Sequence, residues 1–301
     1  MIQIPYLDKG SKVAIAAPAR MVTTEEMAFA IHWLEENGFI PVYDERLFVQ
    51  HHIFAGDDAF RVSVMQQYLD DESVAAIWLA RGGYGGIRII DQLDFTKFLK
   101  HPKWIAGFSD GTVFHGKLQR LGVPSIHSSM PYFFSEKTPE AQQSLYDAMT
   151  GKPLHYEFAS HPLNRIGEVE GEIVGGNLSV LYGMMGSDTF PDVDGKILFI
   201  EEVDEYVYHI DRMMRALKRA GKLDRLKGLI VGGLTQIHDN AQPFGQTVEE
   251  VIADAVKEYD YPVCFGFPAG HFADNKAVLF GLNTQLIIAK EKVVYLECLS
   301  F

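Results

Sequence analysis

The sequence predicts two α/β or mixed domains, the first built on a parallel sheet covered by helices. Three observations carry this prediction. Short β-like runs alternate with helical patterns through the first half, the signature of strand-helix-strand units. The length of 301 residues corresponds to two domains at roughly 100–200 residues each. A polar, Pro-containing stretch between about 133 and 165 separates two regions rich in strand and helix signals, and reads as a linker with one short helix near 141–149.

In chain order, Lys12 to Ala17 is an apolar strand that breaks at Pro18. Thr23-Thr24-Glu25-Glu26 offers a helix N-terminus, and the helix stops at Gly38. Phe39 to Tyr43 supplies the next strand. Asp57 to Asp70 is a helix in which Phe60, Val64 and Tyr68 recur at helical spacing. Ala75 to Ala80 is a buried strand that runs into Arg81-Gly-Gly-Tyr-Gly-Gly86, and Trp104 to Phe108 is a strand that runs into Ser109-Asp110-Gly111. Beyond the linker, strands are expected at 170–174, 196–200, 229–231 and 277–280. Helices are expected at 178–185, 208–220 and 246–259. The resulting division is 1–132 for the first domain, 133–165 for the linker and 166–301 for the second domain.

Composition narrows the function. Apolar residues make up 47% and charged residues 22%, a soluble globular mixture able to bury a sizeable core. The formal charge of −13 repels phosphate backbones and anionic lipid, which points away from nucleic acid and membrane surfaces and towards small molecules. Cys264 and Cys298 are too few for a disulfide framework and are not spaced as a metal pair, which suits a reducing compartment. No run approaches the ~18–20 apolar residues that span a bilayer, and the first twenty residues lack a signal-type core, so a soluble cytoplasmic protein is expected.

Several segments can carry chemistry. Gly107-Phe-Ser-Asp-Gly111 fits the G-x-S-x-G nucleophile elbow, in which a tight strand-to-helix turn lifts a serine hydroxyl clear of the sheet edge. A helical stretch follows, so the Asp110 amide falls at a helix N-terminus, where an oxyanion is stabilised. The alternative for the same string is a Gly-rich turn with Ser109 as an N-cap. Arg81-Gly-Gly-Tyr-Gly-Gly86 also follows a strand. It lacks the Lys-Ser/Thr of a P-loop and the glycine register of a dinucleotide site, and reads better as a second oxyanion donor, Gly83, facing Ser109.

A serine nucleophile needs a base and an orienting acid. Among the 11 histidines, no pair has the i, i+4 spacing of a helical zinc site. His271 stands out, because Gly266-Phe-Pro-Ala-Gly-His271 is a bent loop after a short strand. The apolar strand Lys196-Ile-Leu-Phe-Ile ends in Glu201-Glu202, and alternation alone does not choose between the two carboxylates.

Together these segments resemble the serine LD-carboxypeptidase family, peptidase family S66, which also includes the microcin-immunity hydrolases. The resemblance spans nearly the whole chain. It rests on Ala17-Pro18, Arg81-Gly-Gly-Tyr-Gly85, Gly107-Phe-Ser-Asp110, Gly175-Gly-Asn-Leu-Ser179, Lys196-Ile-Leu-Phe-Ile-Glu201, Tyr208-His-Ile-Asp-Arg-Met213 and Gly266-Phe-Pro-Ala-Gly-His271. Position by position, it puts the nucleophile on Ser109, the acid on Glu201 and the base on His271. It implies a flavodoxin-like N-terminal domain, a smaller β-rich α/β C-terminal domain, a homodimer, and neither metal nor organic cofactor. The implied activity is removal of the terminal D-Ala from murein tetrapeptide in cytoplasmic peptidoglycan recycling. The chain departs from the family pattern at Ala19-Arg20 and at His127-Ser-Ser-Met130.

In this reading His271 takes the Ser109 proton, Glu201 holds the imidazole, and the Asp110 and Gly83 amides bind the oxyanion. Arg81 and Arg20 are the candidate cations for the substrate carboxylate, with Tyr84 beside them. The other readings are a microcin-type hydrolase of acyl-adenylate conjugates, a generic serine esterase, and a non-catalytic sugar- or peptide-binding protein.

Overall fold

The computed structural model describes residues 2–297; Cys298 lies outside the described residues. In the first half the elements are β1 (Lys12–Ala16), α1 (Thr24–Glu36), β2 (Ile40–Val42), α2 (Asp58–Asp70), β3 (Val74–Leu79), α3 (Gly86–Ile89), β4 (Trp104–Gly107), α4 (Thr112–Arg120), β5 (Ser125–His127) and α5 (Pro139–Thr150). Then follow β6 (His155–Ala159), β7 (Gly167–Asn177), α6 (Leu178–Met184), β8 (Ile197–Val203), α7 (Val207–Arg219), β9 (Gly228–Thr235), α8 (Val248–Ala255), β10 (Val263–Cys264), β11 (Val278–Phe280), β12 (Asn283–Ile288) and β13 (Lys292–Glu297).

Local chemistry explains the boundaries. Thr23 caps α1 in a capping box: its hydroxyl accepts from the Glu26 amide, and the Glu26 carboxylate accepts from the Thr23 amide at 2.8 Å. Asp57 accepts from the Phe60 amide at 2.8 Å and starts α2. Strand β3 is buried along most of its length, as a parallel strand with helices over both faces must be. Trp78 and Trp104 are fully buried, and the rings of Trp33, Trp78 and Phe134 meet edge-to-face at 4.8–5.1 Å. Each such side chain contributes about 1.5–3 kcal/mol relative to exposure.

The first sheet runs β2-β1-β3-β4-β5-β11. Its first five strands are parallel in the doubly wound order 2-1-3-4-5. Strand β11 closes the far edge antiparallel to β5, so a strand from the second half completes the sheet of the first. The second sheet runs β10-β9-β8-β7-β12-β13-β6. It is parallel from β10 to β7 and antiparallel from β7 to β6.

Residues 133–165, read from the sequence as a linker with one short helix, carry more structure than that. Thr138 caps the 12-residue helix α5, which has Pro139 at its first turn and ends at Gly151 in the left-handed region. Strand β6 then forms an edge of the second sheet. Strands β12 and β13 alternate buried and partly exposed residues, a half-buried pattern that the sequence reading did not assign. No helix among the described residues is long and apolar enough to cross a membrane.

Candidate active site

The carboxyl ends of β1, β3 and β4 deliver three loops to one edge of the first sheet. Ser109 follows β4 with φ of 59°, a left-handed conformation that costs a serine backbone strain and that nucleophile elbows adopt. Residues 109–111 make one 3-10 turn before α4 begins. A Cβ at Gly107 or Gly111 would come within 3.1 Å of the Leu79 side chain, which is why glycine flanks the turn. From the β3 loop, Gly82 lies so close that a Cβ there would stand 3.2 Å from Ser109 Oγ.

Asp110 locks these loops together. Its carboxylate, 4% exposed, accepts from the Gly86 amide at 2.7 Å. Burial raises its pKa, opposed by the Gly86 and Gly85 amides and the charge of Arg61. Arg61 is buried and donates to Gly85 O at 3.0 Å and to Pro18 O, tying the β1 loop to the β3 loop. The sequence reading missed Arg61, although it falls on the same buried helix stripe as Val64 and Tyr68. An arginine on such a stripe is the available signal for a clamp.

The second sheet supplies Glu201, and the loop after its strand β10 supplies His271. His271 Nδ1 stands 2.6 Å from Glu201 Oε2, with Glu201 fully buried and the His271 side chain 19% exposed. Glu202 faces elsewhere and accepts from Asn177 Nδ2, the Ser179 amide and the Val203 amide at 2.7–2.9 Å. Burial raises its pKa against those three donors. The strand therefore separates the two carboxylates by direction.

A bulge brings the histidine loop to Glu201. The register of β8 against β9 shifts between Ile200 and Glu202, giving β9 the extra residue of Gly232-Gly233. A Cβ at Gly232 would meet Ala269 O, and one at Gly233 the Phe272 ring, both at 2.4 Å. Gly233 N donates to Ala269 O at 2.9 Å, and Thr235 Oγ1 to His271 O at 3.2 Å. The His271 ring packs on Phe108, centroids 4.6 Å apart. No hydrogen bond joins Ser109 to His271 among the described residues; Phe108, next to Ser109 in the chain, connects them.

A cavity of about 340 Å³ opens at Ser109, lined also by Gly83, Tyr84, Asp110, Ser179 and Glu202 among others. The predicted cations differ in availability. Arg81 donates to Met21 O at 3.2 Å, sits 3.9 Å from Glu26 and stacks 3.8 Å above the Tyr132 ring. Arg20 lies against Gly83 instead. Tyr84 is 47% exposed at the cavity. Cys264 is buried, its thiol pushed up to about 12 by desolvation. Among the described residues no group of three or more His, Cys, Asp or Glu side chains is placed to hold a metal.

The model of the LD-carboxypeptidase N-terminal domain matches residues 13–128, and that of the LD-carboxypeptidase C-terminal domain matches residues 170–286. The chain belongs to the LD-carboxypeptidase family. It is thus a serine-type carboxypeptidase, a hydrolase. A Bacillus subtilis relative described as a probable murein peptide carboxypeptidase is 32% identical over 96% of this chain and 92% of its own. The murein tetrapeptide carboxypeptidase of Pseudomonas aeruginosa is 25% identical over 91% of this chain and 92% of its own. The crystal structure of muramoyltetrapeptide carboxypeptidase from Oxalobacter formigenes superposes with a TM-score of 0.87 at 27% identity, covering 95% of this chain and 98% of that one.

Proposed function

We propose that this LD-carboxypeptidase removes the terminal D-Ala from murein tetrapeptide, acting in the cytoplasm as a homodimer in peptidoglycan recycling. Ser109 is the nucleophile, His271 the general base and Glu201 the orienting acid. The observation that carries this reading is the buried Glu201 carboxylate 2.6 Å from His271 Nδ1, with the His271 ring packed on Phe108 next to the left-handed Ser109. The names of the relatives support the substrate class.

His271 accepts the Ser109 proton as Oγ attacks the scissile carbonyl carbon. The charge that forms on the imidazole is balanced by Glu201, which also fixes the ring tautomer. The Asp110 and Gly83 amides stabilise the oxyanion of the tetrahedral intermediate. On collapse, His271 returns the proton to the departing amine of D-Ala, and water repeats the cycle on the acyl-enzyme. The nucleophile comes from residues 1–132 and the acid and base from 166–301, so each domain by itself is inactive.

The test is mass spectrometry of a tetrapeptide digest, with loss of one D-Ala expected. Ser109→Ala should abolish that release and leave the melting transition in place. Substantial turnover by the variant would overturn the assignment of the nucleophile.

A further inference from the structure

We infer that Arg20 is the cation that holds the free α-carboxylate of the residue to be released, and so restricts this enzyme to C-terminal cleavage. The inference rests on the carboxypeptidase reading above. Among the cations around this crevice, the structure leaves Arg20 without an internal partner.

Arg20 sits at the topological switch point of the first sheet. In the order β2-β1-β3-β4-β5, the chain leaves β1 and β3 in opposite directions, and the crevice outside their carboxyl ends is where open α/β sheets hold ligands. Arg20 is on the loop after β1, and Gly82 and Gly83 are on the loop after β3. Gly83 has φ of 98°, and a Cβ there would stand 2.5 Å from Arg20 Cδ and 2.8 Å from Nε. Glycine at this position lets the arginine lie directly over the loop. Gly83 lines the cavity that contains Ser109, and Gly82 is in contact range of the Ser109 hydroxyl. The Arg20 side chain therefore packs directly on Gly83, the proposed oxyanion donor.

Its neighbours are already occupied. Arg61 is held by Pro18 O, Gly85 O and Asp58. Arg88 pairs with Asp58, and Arg81 is spent on Met21 O, Glu26 and the Tyr132 ring. Arg20 makes no side-chain hydrogen bond or ion pair among the described residues, and its Nε is buried without an acceptor. A buried N–H of a charged group gains most from an anionic acceptor. The fork of a guanidinium matches a carboxylate, and in a peptide substrate the terminal carboxylate is only three bonds from the carbonyl carbon under attack.

The experiment compares two substrates and three enzymes: tetrapeptide with a free terminal carboxylate and the same peptide as its C-terminal amide, each with the parent, Arg20→Ala and Arg20→Lys. The parent is expected to favour the free acid strongly. Arg20→Ala should lower kcat/KM for the free acid by about 10- to 100-fold, mostly through KM, while the amide is cleaved at nearly the parental rate. Arg20→Lys should recover part of the loss. Equal losses on acid and amide would reduce Arg20 to a packing role and overturn the inference, as would no loss on either. If the parent releases no D-Ala from the free acid, the functional reading itself fails and the inference falls with it.

Discussion

The backbone N–H of Asn177 donates to Thr112 Oγ1 at 2.9 Å, and this buried bond joins the start of α4 to the end of β7. Thr112 begins α4 directly after the Ser109 turn. Asn177 ends β7, where it pairs with Glu201 of β8 and donates its side-chain amide to Glu202. The approach is so close that a Cβ at Gly176 would lie 2.3 Å from Thr112 Oγ1. The Ser109 turn is thus fastened through one hydroxyl to β7, the neighbour of the strand that carries Glu201.

Thr112→Val keeps the shape and removes the acceptor. It leaves a buried N–H unpaired, at an expected cost of about 1–3 kcal/mol. The check is the denaturant midpoint, which should fall at unchanged slope. Thr112→Ser, which retains the hydroxyl, should recover most of the stability. If Val and Ser behave alike, the hydroxyl is not the fastening.

Glu201→Gln tests the acid with little change of volume. Gln cannot balance the imidazolium or enforce the tautomer, so kcat should fall by about 10³–10⁴-fold while KM moves little. Glu202→Gln should affect kcat far less, because Glu202 accepts from Asn177, Ser179 and Val203 rather than from a histidine. Steady-state kinetics on the tetrapeptide decide the matter. A larger loss for Glu202→Gln would reverse the roles.

The same pair marks what a sequence can and cannot convey. Ser109, Glu201 and His271 stand out in the sequence as candidates because each follows an apolar strand, and strands of open α/β sheets present their chemistry at the carboxyl end. The choice between Glu201 and Glu202 is not contained in the alternation, since both are buried and both accept hydrogen bonds on opposite sides of the strand. It is decided by a bulge and by the Gly232-Gly233 contact with the loop of His271. Arg81 and Arg20 are alike as residues and differ only in what surrounds them. The strand periods of β6, β12 and β13 are half-buried and short, so their signal is weak. That Val278–Phe280 belongs to the first sheet is a long-range fact, invisible to local pattern.

His115 gives a pH-dependent prediction. It is fully buried behind the Ser109 turn, with Nε2 2.9 Å from Gly107 O and Nδ1 2.8 Å from Ser125 Oγ. Desolvation lowers its pKa from 6.5 to about 4. The unfolded chain therefore binds this proton at a higher pH than the folded one. The stabilisation is fully present above about pH 6.5 and is lost as pH falls through about 4. Its full value is about 3 kcal/mol. His115→Gln removes the titration, so the drop in unfolding free energy between pH 7 and pH 4 should be smaller by about that amount. His127, also buried, is lowered by desolvation and in part by the charge of His115, so its own share of the slope should shrink in the variant and add to the same change. Denaturant melts at several pH values provide the measurement, and an identical slope in parent and variant would show that His115 does not titrate with folding.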